Sequence, residues 1–362
     1  MYEIIITLDY ELPVGGVSDV NKYMINPTEN ILNLFNEFNA KLTIMVDIAE
    51  VWAFEDKINE GFSNYLGYDP AILIKNQLTK AIKSGHDVQL HLHPQWLGAK
   101  WYQGKWKLNY SRYFLTDFDY TEIVRLIRRG KEYLENHLCL HSSNYSCIGF
   151  RAGNWNTQPS WKYLRALKEA GIESDTSVFK WGLLNTVSVN IDYRKAYSNI
   201  LPWIACWENI NNIGISGGIL EFPIYSEAVS LIDFLKFKRM KNAIRYLRED
   251  REVSMAVKKL STKKNYEHFG LINKIGKIIR KYPKKFDFCK LNTREMAHML
   301  NNIHNCFRES AILSNIPIVM IGHSKDISSC DDIKALLRLI EKKYNGIFMY
   351  STYLEAIKRH IK

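Results

Sequence analysis

The segment GHDVQLHLHPQW, residues 85–96, places a short strand that ends in histidines directly after a helix-ending glycine. Polar and apolar residues alternate through DVQLHLH, as expected of a β-strand. Side chains two positions apart on a strand share a face, so His91 and His93 should project together. His86 points the opposite way and is expected at a helix end or on the surface. The segment therefore predicts a strand with two histidines near its carboxyl end.

The same unit, a helix followed by a short apolar strand, recurs along the chain. Strands are predicted at residues 2–8, 41–46, 87–93, 147–150, 217–225, 316–323 and 346–351. Asp69 with Pro70 predicts the start of one helix, and Asn292 with Glu295 predicts the start of another. Alternating β and α units predict parallel strands covered by helices, either as an open doubly wound sheet or as a closed barrel.

Polar side chains at the strand ends favour the barrel. The residues that follow or close the predicted strands are Asp9, Glu11, Asp47, His91, His93, Arg151 and His323. Groups from the carboxyl ends of several strands form the active site of a barrel enzyme. The chain has neither of the glycine-rich motifs that accompany a nucleotide-binding sheet. We predict a barrel formed by residues 1–226 and 289–362, with a mostly helical insertion at 227–288.

The charge of the chain is concentrated in this insertion. The net charge is +11, yet residues 236–285 contain 17 basic and 4 acidic residues, which leaves 32 basic and 34 acidic residues elsewhere. Three interpretations stay open: solvated amphipathic helices packed on the barrel, a helix on an anionic membrane surface, or a clamp for an anionic substrate. No nucleic-acid-binding module accompanies the basic segment, so we expect no nucleic-acid partner.

Other features of the sequence are those of a cytoplasmic protein. The first residues, MYEIIITLDYE, lack the basic and apolar regions of a secretion signal. No apolar run approaches the length of a membrane span. The six cysteines form no C-x-x-C pair and are expected as reduced thiols. We expect a cytoplasmic location, with membrane association through the insertion as an alternative.

The paired histidines also suggest metal chemistry. Two imidazoles on one strand face can hold zinc or a similar divalent ion, and a nearby carboxylate can supply a third ligand. Asp9 and Glu11 share a face if the first strand extends that far. A polar barrel mouth, in which His91 and His93 only form hydrogen bonds, is the alternative that the spacing leaves open.

Five segments of the chain resemble, in the same order, the motifs of the polysaccharide deacetylases of carbohydrate esterase family 4, which share the NodB homology domain. These segments are ITLDYE (6–11), GHDVQLHLHPQW (85–96), FRAGNW (150–155), ESDTSV (173–178) and IVMIGH (318–323). The resemblance covers nearly the whole chain except the basic insertion. It implies a distorted (β/α)7 barrel that hydrolyses an N-acyl amide on a sugar. The expected acyl group is acetyl, and the reaction would use a divalent ion, expected to be zinc.

The resemblance also implies roles for individual residues. Asp9 corresponds to the catalytic base, Arg151 to the residue that orients this base, and His91 to the first metal-binding histidine. His323 corresponds to the general acid, and Asp175 to the aspartate paired with it. Glu11 and His93 complete the implied metal set, and Trp96 and Trp155 offer flat surfaces for a sugar ring.

The chain departs from the family pattern at two positions. Tyr10 stands where the first motif has its second aspartate, and Gln95 stands where the second motif has its second histidine. Glu11 and His93 are the residues that could substitute for them. These departures keep two alternatives open: a metal-independent amidase or deformylase on the same barrel, and a carbohydrate-binding barrel without activity.

The expected substrate follows from the cytoplasmic location. A deacetylase there would meet nucleotide- or lipid-linked sugars, so we expect a carbohydrate precursor of a surface polysaccharide such as capsule or O-antigen. The basic insertion at 227–288 would then contact the anionic carrier or the membrane.

Overall fold

Strands and helices alternate along the chain in the computed structural model, which describes residues 1–13, 19–56, 59–185, 190–230, 281–313 and 315–361. The strands in these ranges are β1 (Tyr2–Tyr10), β2 (Leu42–Asp47), β3 (Asp87–Leu92), β4 (Lys100–Tyr102), β5 (Lys105–Lys107), β6 (Gly149–Ala152), β7 (Ser174–Asp175), β8 (Leu183–Asn185), β9 (Asn190–Asp192), β10 (Trp203–Ile204), β11 (Leu220–Glu221), β12 (Ser226–Val229), β13 (Tyr282–Lys285), β14 (Ile316–His323) and β15 (Phe348–Tyr350). The α-helices are α1 (Asn26–Glu37), α2 (Ile48–Glu55), α3 (Glu60–Leu66), α4 (Pro70–Lys83), α5 (Tyr120–Leu138), α6 (Ser160–Glu169), α7 (Thr293–Leu313), α8 (Asp331–Lys343) and α9 (Tyr353–His360).

Parallel strands form one curled sheet, in the order β11-β7-β6-β3-β2-β1-β14. β10 adds to β11 antiparallel, and β15 pairs with the first residues of β1. The two ends of the curl meet where Ile224, just beyond β11, forms a parallel bridge with Val319 of β14. The Tyr225 N–H donates to the Val319 carbonyl at 3.0 Å. The predicted mixed α/β architecture with a parallel sheet is therefore confirmed, and among the described residues one parallel bridge joins the two ends of the sheet.

The alternating side chains of β1 divide between two apolar clusters, and all of its residues are buried. Ile4, Ile6 and Leu8 belong to the larger cluster, which includes the inner faces of the helices. Ile5, on the other face, belongs to a smaller cluster that contains residues of α9. This continuous burial explains the run of apolar residues in the sequence, since a parallel strand covered on both sides needs them.

Helix α9 covers the amino-terminal end of the curled sheet. The Tyr353 N–H donates to Thr43 Oγ1 at 2.8 Å, and the Leu354 N–H donates to Asp87 Oδ2 at 3.0 Å. The hydroxyls of Tyr353 and Ser174 form a hydrogen bond of 2.7 Å. These partners lie at the starts of β2, β3 and β7, so the opposite end of the sheet is the one left for a site.

Two of the described helices, α4 and α7, begin where the sequence predicts. Asp69 accepts hydrogen bonds from the backbone N–H groups of Ala71 and Ile72 at the start of α4. Asn292 and Glu295 form the predicted reciprocal cap of α7, with distances of 3.0 and 3.2 Å. None of the helices in the described ranges is both long and apolar enough to cross a membrane.

The predicted insertion at 227–288 is described only at its ends. β12 and β13 pair antiparallel there, and the helical patterns predicted between them fall within residues 231–280, outside the described residues. Phe286, just after β13, is fully buried in the main cluster. Asp287 forms a parallel bridge with Ile321 of β14. The last residues of the predicted insertion therefore pack with the main cluster and with β14 of the sheet.

Gly149 tests the packing of α9 against the sheet. A Cβ at this position would lie 2.6 Å from Tyr353 Cε1 and 3.1 Å from Gln89 Oε1. We expect Gly149→Ala to lower the free energy of unfolding by about 1–3 kcal/mol, because a packed aromatic ring must shift. Gly61→Ala in α3 is the matched control, since its Cβ would meet nothing closer than 3.6 Å. Urea unfolding of both variants checks this, and an unchanged Gly149→Ala protein would contradict the packing.

Candidate active site

The register of the parallel strands brings the predicted site residues to one end of the sheet. Asp9 of β1 is paired with His323 of β14. His91 of β3 is paired with Asp47 of β2 on one side and with Arg151 of β6 on the other. The carboxyl ends of these strands therefore meet in one polar cluster, as a barrel active site requires.

Glu11, His91 and His93 form a possible metal-binding group. Glu11 Oε2 lies 2.9 Å from His93 Nε2 and 3.5 Å from His91 Nε2. One donor atom from each residue falls within 4.8 Å of the others, and no other such group of three is found among the described residues. His91 Nε2 is buried without a hydrogen bond of good geometry. Two imidazole nitrogens and one carboxylate oxygen are the donor set of a catalytic zinc site, so the residues fit the expected ion.

The far sides of both imidazoles are held in place. His91 Nδ1 lies 2.9 Å from the Arg151 carbonyl oxygen, to which it can donate. His93 Nδ1 lies 2.8 Å from the side-chain amide of Gln95. These contacts direct both Nε2 atoms towards Glu11, which is how an outer contact orients a ligand.

Tyr10 and Gln95, the two residues that depart from the family pattern, lie in different surroundings. Tyr10 is buried on the opposite face of β1, and its hydroxyl donates to Gln77 Oε1 at 2.7 Å. It is therefore a core residue, and the carboxylate at the site comes from Glu11. Gln95 contacts His93 and occupies a supporting position beside the donor group.

Charged neighbours set the ionisation of the donor group. Burial would raise the pKa of Glu11, but Lys325 and His93 lower it well below its usual range. Lys325 Nζ lies 2.7 Å from Glu11 Oε1, the oxygen that faces away from the histidines. Burial would lower the pKa of His91, but Asp9 and Glu11 raise it to about 9. Glu11 is consequently an ionised carboxylate with one oxygen directed at both imidazoles.

Arg151 holds Asp9 in place at the carboxyl end of β1. Its guanidinium is fully buried, and it donates to Asp9 Oδ1, to Thr7 Oγ1 at 2.8 Å and to the Thr176 carbonyl at 2.9 Å. Burial would raise the pKa of Asp9, but Arg151, His91 and His323 together lower it below its ordinary value. Asp9 is therefore ionised and fixed in orientation.

His323 lies beside Asp9 at the carboxyl ends of β14 and β1. Its Nε2 is 3.6 Å from Asp9 Oδ2, and its Nδ1 is 3.9 Å from Asp326 Oδ2. Burial, reinforced by Lys290, lowers the pKa of His323 to about 4. His323 is consequently neutral at neutral pH, with Nε2 facing the second oxygen of Asp9.

The predicted pairing of Asp175 with His323 is wrong. Asp175 Oδ1 accepts hydrogen bonds from the Tyr163 hydroxyl at 2.7 Å and the Ser177 hydroxyl at 2.9 Å. The side chain thus turns towards α6, and its acidic neighbour is Glu221 of β11. Burial raises the pKa of both carboxyls. The acidic neighbours of His323 are Asp9 and Asp326.

The two predicted substrate-facing tryptophans differ. Trp155 is half-buried, with its ring centroid 6.3 Å from the His323 ring. Trp96 is only 5% exposed and packs at 5.9 Å from Phe54 and 5.3 Å from Trp106. The prediction that Trp96 faces a substrate is therefore wrong, because the short helix after Pro94 turns its ring into an aromatic cluster.

Several site residues were not predicted in these roles. Lys325 follows His323 by two positions, and nothing in the sequence signals its contact with Glu11. Asp47 precedes α2 but makes no capping bond; its Oδ1 accepts the His93 N–H at 3.0 Å. Lys285, assigned to the basic insertion, lies over the Trp155 ring, with Nζ 4.0 Å from the centroid. Because Lys285 lies in a segment rich in lysine and arginine, its sequence context does not distinguish it from the other basic residues there.

His86 is separate from the other two histidines, as predicted, but it is not on the surface. It is 4% exposed, and its Nδ1 accepts the Leu42 N–H at 3.2 Å. Burial, reinforced by Lys41, lowers the pKa of His86 to about 4.

Comparisons with known proteins give likenesses of fold at low identity. No protein-family model and no curated protein matches the chain. Three solved structures are similar over 99% of this chain: a candidate polysaccharide deacetylase from Mycobacterium smegmatis (11% identical, 89% of its chain, TM-score 0.46), the allantoinase PuuE (12%, 89%, 0.47) and a candidate polysaccharide deacetylase from Pseudomonas aeruginosa PAO1 (12%, 90%, 0.46). Likeness at this level assigns neither a family nor an activity.

His86 makes the stability of the fold dependent on pH. Its pKa is about 4 in the folded chain and returns to about 6.5 on unfolding, so the unfolded chain binds more protons between these values. Stability should therefore decrease as the pH falls from 6.5 towards 4. We expect His86→Asn to reduce the loss of unfolding free energy between pH 7 and pH 5 by on the order of 1–2 kcal/mol. Urea unfolding at both pH values measures this, and an identical loss in both proteins would contradict it.

Proposed function

We propose that this chain is a metal-dependent hydrolase that removes an N-acyl group, most simply an N-acetyl group, from a sugar. The observation that carries the proposal is the Glu11–His91–His93 donor group beside the Asp9–His323 pair. Ion-binding and proton-transfer groups thus adjoin at one strand end, as amide hydrolysis by activated water requires. The resemblance of the five sequence segments to the polysaccharide deacetylases supports the same chemistry.

Glu11, His91 and His93 would hold the ion, for which we propose zinc. Three protein ligands leave a coordination position open for water or substrate. When bound, a divalent ion supplies the Lewis acidity that lowers the pKa of water and polarises an acyl carbonyl. Gln95, the Arg151 carbonyl and Lys325 would keep the three ligands in place.

Asp9 and His323 would move the proton. Arg151 occupies Asp9 Oδ1, so Oδ2 is the oxygen directed at His323 Nε2, 3.6 Å away. Asp9 would accept the proton that the attacking water loses. Because His323 is neutral before the reaction, it would first receive this proton from Asp9 at Nε2 and then deliver it to the nitrogen that leaves. One proton is taken up and one is released, so the pair returns to its starting state after each turnover.

The substrate we propose is a carbohydrate precursor that carries a nucleotide or lipid group. The Trp155 ring beside His323 offers an apolar face of the kind that packs against a sugar. We propose a role in building a surface polysaccharide, such as capsule or O-antigen, by a cytoplasmic protein that contacts a membrane through residues 227–288. Nucleic acid is not among the proposed partners.

Metal content tests the donor group directly. We expect about one divalent ion per chain in protein purified without chelator, measured by elemental analysis. His93→Gln and Glu11→Gln should each weaken zinc binding on the order of a hundredfold or more, because loss of an outer contact alone costs about 10–100-fold. His141→Gln, an exposed position away from the site, is the control. Wild-type protein that neither contains nor binds a divalent ion would reject the metal and favour a metal-independent amidase or deformylase.

Acetate release tests the proton-transfer pair. On a panel of N-acetylated and N-formylated sugars, we expect Asp9→Asn to lower the rate by about 10²–10⁴-fold while the metal content is retained. Retained metal separates the loss of a base from the loss of a ligand. Asp331→Asn, at the start of α8, serves as the matched control. Equal rates of acetate release in Asp9→Asn and wild type would contradict the proposed mechanism. Sugar binding without acetate release from any sugar would indicate a carbohydrate-binding barrel.

A further inference from the structure

A lysine from the end of the predicted insertion forms part of the wall of the site. Lys285 is the last residue of β13, and its strand partner is Ser226. Alternation along the strand sends Phe286 into the main core and Lys285 to the opposite side. There the ammonium lies 4.0 Å from the Trp155 ring centroid and 4.6 Å from that of Phe179. The rings of Trp155 and Phe179 thus hold one positive charge, and the Trp155 ring also lies 6.3 Å from the His323 ring.

The surroundings of this ammonium differ from those of the other cations at the site. Arg151 is paired with Asp9, Lys325 with Glu11 at 2.7 Å, and Lys290 with Asp326 at 3.0 Å. Among the described residues, the close contacts of Lys285 Nζ are with aromatic ring faces, and the carboxylates of Asp287 and Asp9 attract it through their charge. Ring faces attract a cation but leave its N–H donors available on the open side. Lys285 can therefore donate to an incoming acceptor without giving up an ion pair to a described residue.

The aromatic partner of Lys285 is held in an unusual conformation. Asn154 and Trp155 both have positive φ, at 57° and 60°, which costs energy in residues other than glycine. The Tyr193 hydroxyl donates to the Trp155 carbonyl at 2.6 Å, and the Tyr113 hydroxyl donates to Asn154 Oδ1 at 2.9 Å. Strain that is held in this way is typical of a functional site. It fixes the Trp155 ring in contact with Lys285 and near the His323 ring.

We propose that Lys285 binds an oxyanion, a carboxylate or a phosphate, carried by the substrate next to the sugar whose amide is cleaved. Trp155 would stack on that sugar, and the Lys285 ammonium would pair with its charged substituent. This inference rests on the proposed function and narrows its substrate class to anionic N-acyl sugars. Burial, reinforced by Lys290, lowers the pKa of Lys285 to about 8, so the ammonium remains charged at neutral pH.

The test compares three ligands on the full-length, zinc-loaded protein. They are the methyl glycoside of N-acetylglucosamine, N-acetylglucosamine 1-phosphate and an N-acetylhexosaminuronic acid. Binding is measured by calorimetry and ligand-observed NMR, and acetate release is measured separately. We expect wild-type protein to bind at least one of the two anionic sugars on the order of tenfold more tightly than the neutral one, because charged hydrogen bonds exceed neutral ones. The preferred ligand identifies the oxyanion as phosphate or carboxylate.

Variants at neighbouring positions assign the preference to Lys285. Lys285→Met should reduce the anionic preference to near unity, and Lys285→Arg should retain part of it. Lys284→Met is the matched control, since Lys284 pairs with Glu295 at 3.1 Å on the other face of the strand. A wild-type protein without anionic preference, or a Lys285→Met protein that keeps it, overturns the proposal. The wild-type comparison decides even if Lys285→Met does not fold.

The outcomes also separate this inference from the proposed function. Anionic preference in binding without acetate release from any sugar would support the role of Lys285 and reject the hydrolase. Acetate release at equal efficiency from neutral and anionic sugars would support the hydrolase and reject the role of Lys285.

Discussion

The buried guanidinium of Arg151 is the interaction on which the centre of this molecule depends. A fully buried cation costs several kcal/mol of lost hydration unless its partners are in place. Asp9 supplies the opposite charge, and Thr7 and the Thr176 carbonyl accept the remaining hydrogen bonds. Because the guanidinium donors have a fixed planar geometry, these contacts set the positions of β1 and β7 relative to β6. The Arg151 carbonyl also holds the His91 ring, so one residue positions both the proton-transfer group and the candidate metal ligand.

The part of the site that could be predicted from the sequence follows from two local rules. Period-two alternation groups His91 with His93 and Asp9 with Glu11. The meeting of parallel strand ends then brings these residues to Arg151 and His323, although the chain separates them widely. Both rules depend only on neighbouring residues and on the direction of the strands, which is why the sequence is sufficient for them. They also assign the sheet correctly without any knowledge of loop structure.

The errors arise where side-chain direction depends on distant packing. β7 contains only Ser174 and Asp175, too few residues for alternation to reveal which side chain faces inward. The Tyr163 hydroxyl on α6 then attracts Asp175 away from the barrel mouth. Trp96 turns away for a related reason, since it joins rings from α2 and from β5. Lys285 could not be assigned because its position depends on the pairing of β13 with β12, and residues 230–281 separate these two strands in the chain. In each of these cases the deciding contact comes from another part of the chain.

The position of α9 bears on the order in which the chain folds. Thr43 lies near the start of β2, and Asp87 is the first residue of β3. The backbone N–H groups that donate to their side chains come from Tyr353 and Leu354, far along the chain. Contacts so distant in sequence form late, since loop closure must precede them. During synthesis, therefore, the first strands can pair before α9 is available, and the polar groups at the starts of β2 and β3 stay hydrated until α9 packs against them. We expect chains that stop before residue 353 to leave the Thr43 and Asp87 side chains without these backbone donors, so that this end of the sheet stays open to water and to chaperones.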